Sequence, residues 1–515
     1  PIWIADLSDF RIEKVPREES NDFNPMWVGD RIYFLSDRSG PVTLFVYDTK
    51  AKKLNRAIEN SGYDLKSASA GPGAIVYEQF GRLNLYDLQS GKTSPVPVTV
   101  RGDMTEVRER FANVGEQLTS AGISPAGARA VFQARGEIIT VPAEKGDARN
   151  ITRSPGVMER DPSWSPDGRM IAYFSDESGE YMLHIQPQSG KGETIKISLA
   201  DKPTFYSSPT WSPDSKKIAY VDCHLGLWYV DLAVKKPVRV DLERFYRGSY
   251  LMNPSWSPDS KWLAYSKRLP NYQAAIYLYS LETGKSAQIT DGMSDARYPV
   301  FDAEGKYLYF AVSTDVGASL QPDMHSFSRP VSRSVYLTVL GKDEPSPLAP
   351  ESDEEKGTEE KKPEEKKEGQ AGPERAAASE SSATEKPGAA KIKSEVGPTA
   401  AEKIPDVRID FENILQRILA LPLPPRNYVS LQVGKAGVLL AIETPPSLPG
   451  AGADRGLTVH RYELKARKSD IVISGVSEFE MARNGEKYLY QQGNKWFIGT
   501  LKPMSPSGDS GGAAP

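Results

Sequence analysis

Large and small side chains alternate along this chain in short runs, and the same turn introduces each run. Ile171-Ala172-Tyr173 follows Pro162-Ser163-Trp164-Ser165-Pro166-Asp167-Gly168. Ile218-Ala219-Tyr220 follows Pro209-Thr210-Trp211-Ser212-Pro213-Asp214-Ser215, and Leu263-Ala264-Tyr265 follows Pro254-Ser255-Trp256-Ser257-Pro258-Asp259-Ser260. A worn copy, Pro299-Val300-Phe301-Asp302-Ala303-Glu304-Gly305, precedes Leu308-Tyr309-Phe310. Taken at the aromatic, the steps are 47, 45 and 45 residues. A period of two predicts strands. Ser-Pro-Asp-Gly predicts a type I turn, in which Pro presets φ and Gly takes the left-handed position that rejoins the strand. Further strand-like runs follow each copy, among them Leu227 to Leu232 and Ile276 to Leu281. A repeat in the forties built of strands is the signature of a β-propeller blade, and the aromatic before each turn is placed to wedge between blades. The repeated Trp, Asp and Tyr therefore read as scaffold.

The same pattern divides the rest of the chain. Residues 25–50 and 68–92 read as blades, and Pro1 to Leu7 as the closing strands of a blade that begins upstream, so a fragment is expected. Residues 1–97 are assigned to the end of a first propeller of six-bladed type. Blades anchored at 123, 164, 211, 256 and 301 fill 98–341, and blades at 431 and 481 fill 403–502, making a seven-bladed second propeller. Between Arg101 and Leu118, the apolar Val107, Phe111, Val114 and Leu118 fall at helical spacing and predict a short boundary helix. Arg101-Gly102-Asp103 in that stretch reads as chance. Residues 342–402 are Glu, Lys, Pro, Ala and Ser with almost no large apolar side chains, a composition predicted to stay disordered as a solvated linker. Residues 503–515 read as a flexible tail.

Composition narrows the chemistry. A net charge of −4 over 515 residues, without a basic stripe, argues against nucleic acid. Cys223 is the one cysteine, which excludes a disulfide framework and a thiolate zinc cluster. No apolar run is long enough to span a bilayer as a helix. His184, His224, His325 and His460 share no metal-ligand spacing. No Gly-rich loop opens a helix, so no phosphate cradle is indicated. Gly508-Asp509-Ser510-Gly511-Gly512 matches a serine-protease nucleophile signature, but it sits in a Ser/Pro/Gly/Ala tail without a barrel to position a His–Asp pair, and it is rejected. The residues thus predict an all-β chain of tandem propellers with no catalytic residue, no cofactor and no metal site.

The Trp-Ser-Pro-Asp-Gly blades resemble TolB-like propeller repeats. The arrangement of a six-bladed propeller running into a seven-bladed one, together with Asn24-Pro25-Met26-Trp27-Val28-Gly29-Asp30, Ser67 to Glu78 and Asp291 to Pro299, resembles the N-terminal half of tricorn-type proteases. That resemblance implies a serine peptidase whose PDZ-like and α/β catalytic domains follow the propellers. It also implies a seven-bladed channel that leads unfolded peptides to the active site, a six-bladed one that releases products, a homo-oligomer and a cytoplasmic location. No catalytic residue of the family maps onto this chain. Two other readings stand beside it: a periplasmic TolB-like interaction propeller without enzymatic role, and the propeller of a prolyl-oligopeptidase-type hydrolase, which predicts a downstream α/β-hydrolase.

Overall fold

The computed structural model describes residues 1–17, 19–103, 105, 108, 110–201, 204–245, 252–314, 331–351, 404–445 and 456–503. Among them the elements with printed bounds are strands, apart from a 3-10 turn at Ile414–Arg417. Nearly every sheet is built from consecutive antiparallel strands, as expected where tight turns join neighbouring runs. The first 95 residues give a two-stranded sheet (Trp3–Ala5, Ile12–Lys14) and two four-stranded sheets (within 22–56 and 65–95). From Leu118 to Thr500 seven further sheets follow, six with four strands and the last with three. The first of these packs on the last. Ile123, Ala130 and Phe132 form one core with Ala482 and Leu489, and the Phe132 and Trp496 rings meet edge-on at 5.3 Å.

The repeated turns behave as their residues dictate. The Ser165, Ser212 and Ser257 hydroxyls are fully buried. Each donates to the Asp two residues on, at 2.5 Å, and accepts the N–H five residues on, at 2.9 Å. In the worn copy Asp302 stands where the serine was. Its two oxygens accept from Tyr307 N–H (2.7 Å) and Glu304 N–H (3.0 Å), and burial holds its carboxyl above the usual range. Ser215 and Ser260 occupy the left-handed position that Gly168 takes in the first copy, with φ of 58° and 60°. Their hydroxyls accept from the preceding turns, Asp167 N–H at 3.1 Å and Asp214 N–H at 3.0 Å. The strained backbone at these serines thereby links adjacent sheets.

The aromatics wedge between sheets as predicted. Trp164, Trp211, Trp256 and Phe301 are all buried, each worth roughly 1.5–3 kcal/mol of apolar transfer. Trp211 Nε1–H donates to Ser163 O (3.1 Å) and Trp256 Nε1–H to Thr210 O (3.0 Å), in each case the residue just before the preceding sheet's Trp.

Two expectations are corrected. The helix predicted to reach Leu118 is absent among the described residues. Leu118 opens a strand, and Phe111, whose ring the helix would have needed to bury, is fully exposed; Val107 lies outside the described residues. The stretch assigned wholly to the sixth and seventh blades from residue 403 first completes the fifth sheet: Ile418–Ala420 pairs with Ser334–Val339 as its fourth strand. The long insertion therefore interrupts a sheet. Its flanks are pinned to the body. Lys342 N–H donates to Asp410 Oδ2 (2.9 Å), Arg408 pairs with Asp343 (3.1 Å), and Val407 N–H donates to Asp259 Oδ2 (3.1 Å). Val407 fills space that only glycine leaves open, since a Cβ on Gly305 would lie 2.4 Å from its Cγ2. Of the segment predicted to be disordered, 352–402 lies outside the described residues.

Candidate functional site: the axial wall of the second set of sheets

After residue 117 the first strands of most neighbouring sheets lie side by side. Leu118–Ile123 packs on Glu159–Trp164, that on Tyr206–Trp211, and Asp295–Phe301 on Tyr428–Val433, while Glu478–Met481 touches both Tyr428–Val433 and Leu118–Ile123. These strands form the wall nearest the axis. Each Pro-x-aromatic repeat contributes a bulge there. Asp161, Ser208, Asn253 and Tyr298, the residues before Pro162, Pro209, Pro254 and Pro299, are left-handed with φ of 47–58°. Where both flanks of the bulge are paired, the register slips between Arg160 and Ser163, Ser207 and Thr210, and Arg297 and Val300. A bulge re-aims side chains and sharpens twist. Here it leaves Pro162 and Pro209 buried.

A cleft of about 230 Å³ opens on this wall, lined by Ser120, Asp161, Pro162, Ser163, Ser208, Pro209 and Thr210. Small hydroxyls dominate it. Arg160 beside it is occupied: it donates to Tyr206 O (2.9 Å), lies 3.4 Å from Asp161 and sits 5.2 Å over the Tyr181 ring. Across the ring, Gln432 stitches two inner strands, donating to Phe479 O (3.1 Å) and accepting from Met481 N–H (2.8 Å). Burial raises the Glu480 carboxyl to about 7, although the Ile123 N–H that it accepts works the other way.

A second groove, of about 360 Å³, lies between the two flanks of the insertion, lined among others by Glu304, Lys306, Asp343, Glu344, Asp406 and Arg408. Its charges are largely paired with one another, as in Lys306–Glu304 at 2.9 Å.

The residues weighed for chemistry lie apart. His184 is buried on the second of the seven sheets, where burial drops its imidazole to about 4. His460, on the sixth, holds Glu443 at 2.7 Å, and Arg426 contacts the same carboxylate at 3.3 Å. His224 is in an exposed turn, and Cys223 beside it is exposed and 3.0 Å from Thr204 Oγ1. His325 and Ser510 lie outside the described residues. Among the described residues no three His, Cys, Asp or Glu side chains come together as metal ligands. No described helix is long and apolar enough to cross a membrane.

The sequence alone did not single out these hydroxyls. Ser163, Thr210 and Ser255 are the middle residues of the Pro-x-Trp copies.

The comparisons agree with this geometry. The model of the tricorn protease second β-propeller domain matches residues 118–502, and that of the tricorn protease N-terminal β-propeller domain matches residues 1–92. The tricorn protease homolog of Saccharolobus solfataricus is 23% identical over 500 residues, covering 95% of this chain and 40% of that protein. Tricorn protease homolog 1 of Streptomyces coelicolor is 24% identical over 490 residues, covering 93% and 42%. The chain thus spans about two-fifths of the length of these relatives. The crystal structure of the tricorn protease superposes with a TM-score of 0.55 at 17% identity, covering 97% of this chain and 44% of that one, which speaks for the fold. With a family model covering most of its length and sheets arranged to match, this chain belongs to the tricorn protease family, as the second β-propeller domain preceded by N-terminal β-propeller sequence.

Proposed function

We propose that the second propeller is a seven-bladed ring that admits extended peptides and passes them along its axis to the catalytic part of a tricorn-type serine peptidase. The residues in hand form the passage and supply no nucleophile or base. The observation that carries this reading is the axial wall itself. Its bulged first strands present small hydroxyls, Ser120, Ser163, Ser208 and Thr210, which offer hydrogen bonds to any peptide backbone without an apolar pocket to retain a particular side chain. The relatives' name as proteases supplies the chemistry of the whole. In the same reading the first propeller releases products, PDZ-like and peptidase domains are the partners within the parent chain, the assembly is a homo-oligomer, and its location is the cytoplasm.

The test places bulk on the wall of the full-length peptidase. Thr210→Trp should slow hydrolysis of peptides of ten or more residues severalfold and leave a dipeptide-sized chromogenic substrate untouched. Equal rates on long substrates for variant and parent would sink the passage. The chain of 515 residues, assayed alone on the same peptides, should release nothing, and turnover would sink its catalytic silence.

A further inference from the structure

The cleft on the axial wall is rich in acceptors and poor in donors. Two of its lining residues, Pro162 and Pro209, carry no backbone N–H. The Asp161 N–H is given to Gln133 Oε1 (3.2 Å). The Thr210 hydroxyl gives its hydrogen to Ser208 O (3.1 Å), which leaves Thr210 Oγ1 only its lone pairs. The hydroxyls of Ser120, Ser163 and Ser208 can serve either way. Asp161 is the one charged residue of the lining. Its Oδ2 faces Arg160 at 3.4 Å, while among the described residues its Oδ1 accepts no hydrogen bond. Arg160 lies outside the lining, with its guanidinium held by Tyr206 O and stacked on the Tyr181 ring. Across Gly122 the wall adds a second carboxyl: a Cβ there would stand 3.6 Å from Pro162 O and 3.7 Å from Glu480 Oε2.

Such a lining fits a group that brings positive charge and donors and asks for no donor in return. A primary ammonium does so, with three N–H groups and no lone pair. A guanidinium is matched less well. Its planar fork takes two carboxylate oxygens, and one of the two at Asp161 is turned to Arg160. A volume of about 230 Å³ takes one side chain or one chain end, not a folded surface.

We infer that this cleft is a subsite for a primary ammonium group of a peptide in the passage, with Asp161 Oδ1 as its counter-ion and Thr210 Oγ1 and the serine hydroxyls as further acceptors. The inference rests on the passage reading given above and makes Asp161 a specificity-determining residue. Peptides that carry a lysine, or that enter amino end first, are held there more tightly than neutral ones.

Equilibrium titration of the 515-residue protein at low salt, followed by saturation-transfer NMR, tests this with three peptides amidated at the carboxyl end. The first is acetyl-Ala-Ala-Ala-Lys-Ala-Ala-Ala, the second has norleucine in place of the lysine, and the third is the norleucine peptide without its acetyl group. The first peptide, the third, or both should bind about two- to fivefold tighter than the second, the span of a partly exposed ion pair. Asp161→Asn keeps a side chain that tolerates the left-handed backbone and should erase the difference, and salt at about 0.5 M should shrink it. A gain with the first peptide alone assigns a lysine side chain as the ligand, and a gain with the third alone assigns the chain end. Equal affinity for all three, no measurable binding of any, or a gain that survives in Asp161→Asn overturns the inference. The passage itself is judged apart from this, by the Thr210→Trp rates on long uncharged peptides, and stands or falls whichever way the titration goes.

Discussion

At the scale of single residues, neighbouring sheets are joined by a small set of side-chain bonds that repeat with the sequence. The indole bonds of Trp211 and Trp256 are the clearest. Replacing Trp256 by Phe strands the Thr210 carbonyl and removes a buried donor, and a bond of this kind is worth about 0.5–1.5 kcal/mol. Trp164 is equally buried, but its Nε1–H has no partner. Trp256→Phe should therefore lower the unfolding free energy by about 1 kcal/mol more than Trp164→Phe, as read by chemical denaturation. Ser215 allows a second comparison. Ser215→Ala keeps a Cβ at a left-handed φ and loses the bond from Asp167 N–H, for an expected loss of about 1–2 kcal/mol. Ser215→Gly loses the same bond but relieves the backbone and should come out within about 0.5 kcal/mol of the parent. These turns were legible because they repeat: Pro, Asp and the αL residue announce themselves by type. The hydroxyl bonds between turns were not, because they depend on which sheets become neighbours.

At the scale of elements, the seam between the first two of the seven sheets carries a group held against its ordinary charge state. Glu159 is 2% exposed. Ser154 Oγ donates to its Oε1 at 2.5 Å, while its Oε2 is buried without a partner, and burial raises the carboxyl to about 7. In the unfolded chain the same group titrates near 4.5. Between these values the folded state holds the proton that the unfolded state has released, so this residue's contribution to stability is greatest below pH 4.5 and falls as pH rises to 7. Glu159→Gln, which mimics the protonated form, should flatten that slope. It should also raise stability at pH 8 by on the order of 1–3 kcal/mol, measured as melting temperature against pH beside the parent. His184 on the same sheet works in the opposite sense. Its pKa, lowered to about 4, makes acid below pH 6.5 destabilising, so the comparison between variant and parent isolates Glu159. Sequence patterning located these sheets but not their full membership. Ile418–Ala420 is three residues long and separated from its sheet by the insertion, too short for any periodicity to register. The false helix before Leu118 has the converse cause: its apolar spacing is real, but no described surface receives Phe111.

For the molecule as a whole, a contact at Tyr63 ties the N-terminal sheets to the later sheets. The Tyr63 ring stacks flat on Phe80, with centroids 4.5 Å apart, and its hydroxyl donates to the Glu180 carboxylate. The Asn60 and Gln79 side-chain amides each hold the Tyr63 carbonyl at 2.8 Å, fixing the loop that presents the ring. The neighbouring Tyr181 packs against Phe205 and under Arg160, next to the axial wall. Tyr63→Phe keeps the stack and removes the hydrogen bond. Its expected effect is severalfold faster limited proteolysis within residues 98–117, the connection between the two sets of sheets. Rates matching the parent would mean that the rings are held elsewhere. The interrupted fifth sheet bears on how the molecule is made. At ~5–20 residues per second of ribosomal synthesis, the roughly eighty residues between Val339 and Ile418 take on the order of 4–16 s to emerge. Throughout that interval the nascent Ser334–Val339 strand waits with one edge unpaired, and its outward backbone groups are open to chaperones or to another nascent chain until Ile418–Ala420 arrives.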